Sequence, residues 1–164
     1  MSKIKLYSSK KVYIFAIILA LAWCALIFFM SNEPATESAE RSGSIADILA
    51  PIFVGGFEEL EEWEQEDILL DVDHIVRKTA HFCVFAFLGA VFTFVSLWHS
   101  RTWVAHLSLP WICGALYAAS DEFHQAFVPG RGARFSDVVL DSAGVLFGAL
   151  FMMVLARVLL RRKS

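Results

Sequence analysis

The sequence predicts an all-α polytopic membrane protein, a four-transmembrane-helix bundle with a long acidic external loop. Three observations lead there: an apolar content too high for a small soluble domain, four apolar runs near bilayer length, and a sorting of charge between alternate connections. Of the 164 residues, 57% are hydrophobic, more surface than one core of that size can hide from water. Lipid is the implied second solvent.

The runs are Val12 to Met30, Ala80 to Trp98, Val104 to Ala119 and Val138 to Leu160, each reaching or approaching the roughly 20 residues that a hydrocarbon core requires. The third is the shortest and contains Pro110, but Ser120 to Phe127 can carry its helix into the headgroup region, and neighbouring helices tolerate a proline kink.

Charge sets the expected orientation, because basic residues near short loops stay cytoplasmic. Lys3, Lys5, Lys10 and Lys11 precede the first run, Arg101 lies in the second connection, and Arg157, Arg161, Arg162 and Lys163 close the chain, with no acid among these segments. Of 17 acidic residues, 13 fall between Glu33 and Asp73, where Arg41 is the only base. That stretch carries −12, so the net charge of −3 leaves +9 for the remainder. The acidity belongs to one loop and implies no nucleic-acid partner. The expected organisation is a cytoplasmic tail at 1–11, a four-span domain at 12–160 with its external loop at 31–77, and a cytoplasmic tail at 161–164. The cell membrane is the expected location and its lipid bilayer the first partner.

The first run is not read as a cleaved signal. It exceeds a signal core of about 7–15 residues, no small-x-small site precedes Ser31, and Trp23 before Cys24 spoils a lipoprotein-type site. Cys24, Cys83 and Cys113 all lie inside the runs, as small packing residues rather than a disulfide framework or a zinc pattern.

Within the loop, Ile45, Ile48, Leu49, Ile52 and Phe53 recur at helical spacing, one apolar face of a helix lying on the membrane or on the bundle. Ser44 is its expected cap, and Pro51 its expected bend. After the Gly55-Gly56 break, the acids from Glu58 to Asp67 read as a solvated linker or helix face, without calcium-loop spacing. Gly144 and Gly148 form a small-xxx-small face suited to close helix packing.

The remaining polar residues gather at one predicted membrane face. Arg77, Lys78 and His81 open the second span. Asp121, Glu122, His124 and Gln125 end the third, Pro129-Gly130-Arg131 follows, and Asp137 and Asp141 begin the fourth. Offsets of three and four residues put each set on one helical stripe. Pro129 and Gly130 form a turn that aims Arg131. Asp141 lies about a turn inside the span, where an unpaired carboxylate costs up to about 2.5–3.5 kcal/mol, so it should face the bundle and find a partner.

These residues resemble the VanZ-like family of membrane proteins, named after a teicoplanin-resistance determinant. The resemblance rests on Arg77-Lys78-Thr79-Ala80-His81-Phe82, on Ser120-Asp121-Glu122-Phe123-His124-Gln125 leading to Phe127-Val128-Pro129-Gly130-Arg131, and on Asp137-Val138 with Asp141 and Gly144. It extends from about Phe29 to Phe151, and the Ser31-Asn32-Glu33-Pro34 turn is similar to the family's polar motif, with glutamate where glutamine is usual. It implies four spans and a link to reduced glycopeptide susceptibility.

Three readings of the cluster follow. In an enzyme site acting on an envelope lipid or cell-wall precursor, His81 or His124 is the acid or base, with Asp121, Glu122 and Asp137 supporting it. Arg77, Lys78 and Arg131 then hold a phosphate or carboxylate, with Gln125 and Asp141 as further ligand contacts. In a binding site, the same cations hold an anionic lipid or precursor without turnover. In a structural network, the charges only pair helix ends. The cofactor is unknown; a divalent metal would draw on His81, Asp121, His124 and Asp137 or Asp141. His74 is a candidate lid residue, and His99 and His106 flank the cytoplasmic turn.

Overall fold

The computed structural model describes residues 9–98 and 102–161, and its regular secondary structure is entirely helical among them. Helix α1 spans Lys10–Ser31, α2 Ala35–Phe53, α3 Glu62–Ser96, α4 Trp103–Gln125 and α5 Phe135–Arg161, with a 3-10 turn at Phe57–Glu59. The expectations resting on Lys3, Lys5, His99, Arg101, Arg162 and Lys163 lie outside the described residues.

Three helices, α1, α3 and α5, are long and apolar enough to cross a membrane. The 23-residue α4 has the length but not the hydropathy, because His106, Pro110 and its small and aromatic residues dilute the aliphatic ones. By length and composition, three of the four expected spans are found.

The segment 31–77, expected as an external loop with one helix starting at Ser44, is mostly helix. Helix α2 starts directly after Pro34, nine residues before the expected cap. Ser44 lies inside the helix, donating its hydroxyl to the Glu40 carbonyl at 2.9 Å. Of the two placements expected for the apolar face, membrane or bundle, the bundle takes the small residues instead: Ser42, Ala46 and Ala50 are buried, whereas Ile48, Ile52 and Phe53 are exposed. Small residues let α2 lie close along α3. Gly56, at φ 74°, breaks the chain where a Cβ would be strained. At 35 residues, α3 is about 52 Å long, so part of it must extend past a hydrocarbon layer of roughly 30 Å.

The closest helix contact is between α3 and α5. A Cβ on Gly89 would overlap the Val145 carbonyl, one on Gly148 the Ala86 carbonyl, and one on Gly144 the Phe82 carbonyl. Gly144 and Gly148 thus form the close-packing face their spacing predicts. Around it Ile27, Phe85, Leu88, Ala118 and Val145 form the core. Helix α1 gives Ile27 to that core and is also tied on by hydrogen bonds. Trp23 Nε1 donates to the Val84 carbonyl at 3.0 Å, and the Tyr117 hydroxyl to the Cys24 carbonyl at 2.6 Å. At the end away from Ser31, Arg157 stacks over Trp103, and buried His106 meets the Ser96 hydroxyl through Nδ1 at 3.1 Å.

Candidate functional site

The polar residues converge where α1 ends, α2 begins, α3 passes, and α4 turns into α5. The turn that aims Arg131 is the expected one. Arg131 N–H donates to the Val128 carbonyl at 3.1 Å, with Pro129 and then Gly130, at φ 74°, between them. This is the residue order of a type II turn. Ala35 N–H donates to the Pro129 carbonyl at 3.2 Å, fastening the start of α2 to that turn.

Each acid of the cluster is placed differently. Asp137 is ion-paired with Lys78, joining α5 to α3. Asp121 Oδ2 accepts hydrogen bonds from the Ser31 hydroxyl at 2.8 Å and from Gln125 Nε2 at 2.9 Å. Glu122 Oε1 accepts the Arg134 N–H at 2.6 Å. Asp141 is fully buried, and its Oδ2 lies 3.6 Å from His81 Nδ1, within ion-pair range but beyond a hydrogen bond. Asp121 Oδ1, Glu122 Oε2 and both Asp141 oxygens are buried without a hydrogen-bond donor. An oxygen left this way costs about 1–3 kcal/mol, more when charged. Three side chains therefore carry unmet acceptor capacity in one small region.

The cations are not all neutralised. Arg77 pairs with Asp73 at 2.6 Å. Arg131, half-buried, has no carboxylate within 4 Å among the described residues. Burial pulls its guanidinium below the ordinary value, Arg77 adds to that pull, and Glu33, Asp121 and Glu122 oppose it.

Two cavities adjoin at these groups. One, of about 140 Å³, lies between α1, α2 and α3 and has Ile27, Ile45, Val76, Ala80, Val84 and Phe85 among its walls. The other, of about 260 Å³, lies between α3, the α4–α5 turn and α5. Its walls carry four cations (Arg77, Lys78, Arg131, Arg134) against two carboxylates (Asp137, Asp141). Ser38, Arg77, His81 and Arg131 border both.

Of the residues singled out in the sequence, Arg77, Lys78, His81, Gln125, Arg131, Asp137 and Asp141 line the polar cavity, and Asp121 lines the apolar one. Glu122 is buried beside them, holding the Arg134 backbone. His124 faces elsewhere, stacked on Phe28 with ring centroids 4.6 Å apart. His74 also lines the polar cavity. Among the described residues, no group of three or more His, Cys, Asp or Glu side chains is arranged to hold a metal ion. Sequence reasoning missed Ser31, Ser38 and Arg134. Their signal lay in the polar turn after the first span, the serine that follows it and the second arginine of the Arg131–Arg134 stretch, but none has a helical stripe to mark it.

A family model described as VanZ/LLP1 matches residues 15–157. No curated protein and no solved structure matches the chain.

Proposed function

The chain belongs to the VanZ/LLP1 family, and from that premise we propose that it is a four-span envelope protein whose outward face binds an anionic group of a membrane lipid or cell-wall precursor. Helix α4 is the fourth span. Its polar Asp121, Glu122 and Gln125 are buried, while Val104 is 76% and Leu116 66% exposed. That inside-out pattern suits lipid, where apolar side chains face outward and ionisable groups turn to the bundle. With Lys10 and Lys11 opening α1 and Arg157 near the end of α5, both termini are cytoplasmic by the distribution of basic residues. The polar cavity then opens outward.

The observation that carries the binding reading is Arg131: a half-buried guanidinium with no carboxylate partner among the described residues, on the edge of a cavity whose walls hold twice as many cations as acids. A bound phosphate or carboxylate supplies the missing charge, and guanidinium geometry suits both. The buried acceptors on Asp121 and Asp141 favour a ligand that also brings donors.

A second reading, chemical modification of the ligand, is favoured by His81. It borders both cavities and is backed by buried Asp141 at 3.6 Å. Imidazole changes charge near neutral pH, and a neighbouring carboxylate orients it. The Ser38 hydroxyl borders the same spaces.

Sequestering or altering a wall precursor at this face would lower susceptibility to a teicoplanin-type glycopeptide. The test is susceptibility of cells producing wild type, Arg131→Gln and His81→Gln, with membrane abundance measured in parallel. Binding predicts protection by wild type and its loss in Arg131→Gln at unchanged abundance. Modification predicts loss in His81→Gln while the ligand still binds. Protection that is absent, or that tracks abundance alone, would reject the resistance role.

A further inference from the structure

We infer that the anionic ligand is an amphiphile, with its head in the polar cavity and the start of its chain in the apolar one, crossing the ridge of Arg77, His81 and Arg131. This rests on the anion-binding reading of the site and adds a tail to it. Helix α3 supplies the division. Val76, Ala80 and Val84 follow one another at intervals of four along the apolar cavity, and Arg77, Lys78 and His81, one or two positions on, border the polar one. At 3.6 residues per turn these are neighbouring stripes of one helix. A molecule touching both must therefore be apolar at one end and charged at the other.

The apolar cavity is bounded outward by Met30 of α1 and Ile45 of α2, which are 42% and 43% exposed. It thus reaches the surface beside a membrane-crossing helix, where a chain from the bilayer can enter. Its volume, about 140 Å³, is close to that of an apolar cavity of about 150 Å³ that accepts benzene, so it holds about six carbons. The larger polar cavity has room for a phosphate or carboxylate and a further polar group. Asp141, 0% exposed and without a hydrogen-bond donor to either oxygen, lines that space. Asp121 Oδ1, equally without a donor, belongs to a side chain lining the other. The head therefore carries a hydroxyl or amine beside its acid.

Alkyl phosphates from methyl to octyl provide the test, titrated onto the protein in nanodiscs of neutral lipid, with empty nanodiscs correcting for partition. The expected result is affinity rising up to roughly fourfold per methylene (about 0.8 kcal/mol) to about six carbons and then levelling. Ala80→Phe, which fills the apolar cavity, should flatten the series while leaving methyl phosphate binding unchanged. Ile45→Trp, from the exposed rim, makes the same block without altering α3. A flat series in wild type that still binds methyl phosphate would overturn the tail and leave the head site standing. A slope that survives both blocking variants would also overturn it, because the chain would then lie elsewhere. Binding of no member of the series would reject the anion site and the inference together.

Discussion

Helices α3 and α5 meet in two ways within a few turns. Around Gly89, Gly144 and Gly148 they touch backbone to backbone, with Val145 between them and no space for a Cβ. One turn away, at Lys78, His81, Asp137 and Asp141, the same helices part around a cavity and set charges across it. The first contact is tight, with the backbones themselves in contact. The second is unfinished, since buried oxygens of Asp141 lack donors and neighbouring Arg131 lacks an acid within 4 Å among the described residues. On the proposed reading, the ligand completes the unfinished polar contact beside the finished packing, where stability alone would favour apolar residues.

The strongest way to break that comparison is to spoil the finished contact. Gly148→Leu drives a side chain into the Ala86 backbone and should destabilise by about 3 kcal/mol or more. Membrane abundance and the melting of detergent-solubilised protein should both fall, whatever the ligand. Arg131→Gln tests the other contact. It should weaken anion binding tenfold to a hundredfold, as expected for removing a hydrogen-bonding charge worth about 1.5–3 kcal/mol, with melting unchanged in a titration and thermal scan of the same sample.

Asp141→Asn sharpens the distinction further. The side chain keeps its shape and loses a carboxylate, so stability should hold or rise by up to about 1–3 kcal/mol, while affinity for a donor-bearing anionic ligand falls. A glycine-like collapse in abundance would instead make Asp141 a structural residue. His124→Gln should be milder still. It loses the stack on Phe28, worth about 0.5–1.5 kcal/mol, and leaves anion affinity unchanged. The smallest effect belongs to Arg41→Ala, which removes an ion pair with Glu33 whose arginine is 60% exposed. Pairs of that kind contribute about 0–1 kcal/mol, a difference resolved by a denaturation series.

Much of this was legible in the residues themselves. Apolar length marked α1, α5 and the second half of α3, and the Gly144/Gly148 spacing announced close packing. Gly89, which faces Val145 of α5, gave no signal, because one glycine in an apolar run has no repeat to set it apart. In the sequence the first half of α3 stays open between linker and helix face, because nothing apolar periodic runs through Glu62 to Asp71; the helix there is started by Glu61, whose N–H donates to Glu64 Oε2 at 3.2 Å. The apolar stripe of α2 reads correctly as helical, but membrane and bundle stay open as its cover, since periodicity finds a face but not what covers it. The small residues Ser42, Ala46 and Ala50 offered the closer approach to α3.

The site divides similarly. Asp121 and Gln125 share a stripe as their offset of four predicts, and they hydrogen-bond at 2.9 Å. His124, at an offset of three, lies on the other side of Asp121 by helical geometry, and Phe28 of α1 captures it. The pairing of Lys78 with Asp137, 59 residues apart, and the approach of His81 to Asp141 depend on how α3 and α5 cross. No single-helix pattern contains that information.

The most direct test of the central claim is native mass spectrometry of wild type and Arg131→Gln extracted gently from the same membranes. The account predicts a one-to-one adduct of a phosphate- or carboxylate-bearing amphiphile on wild type, lost from the variant although it remains folded. Identical spectra for the two proteins, with or without an adduct, would contradict it.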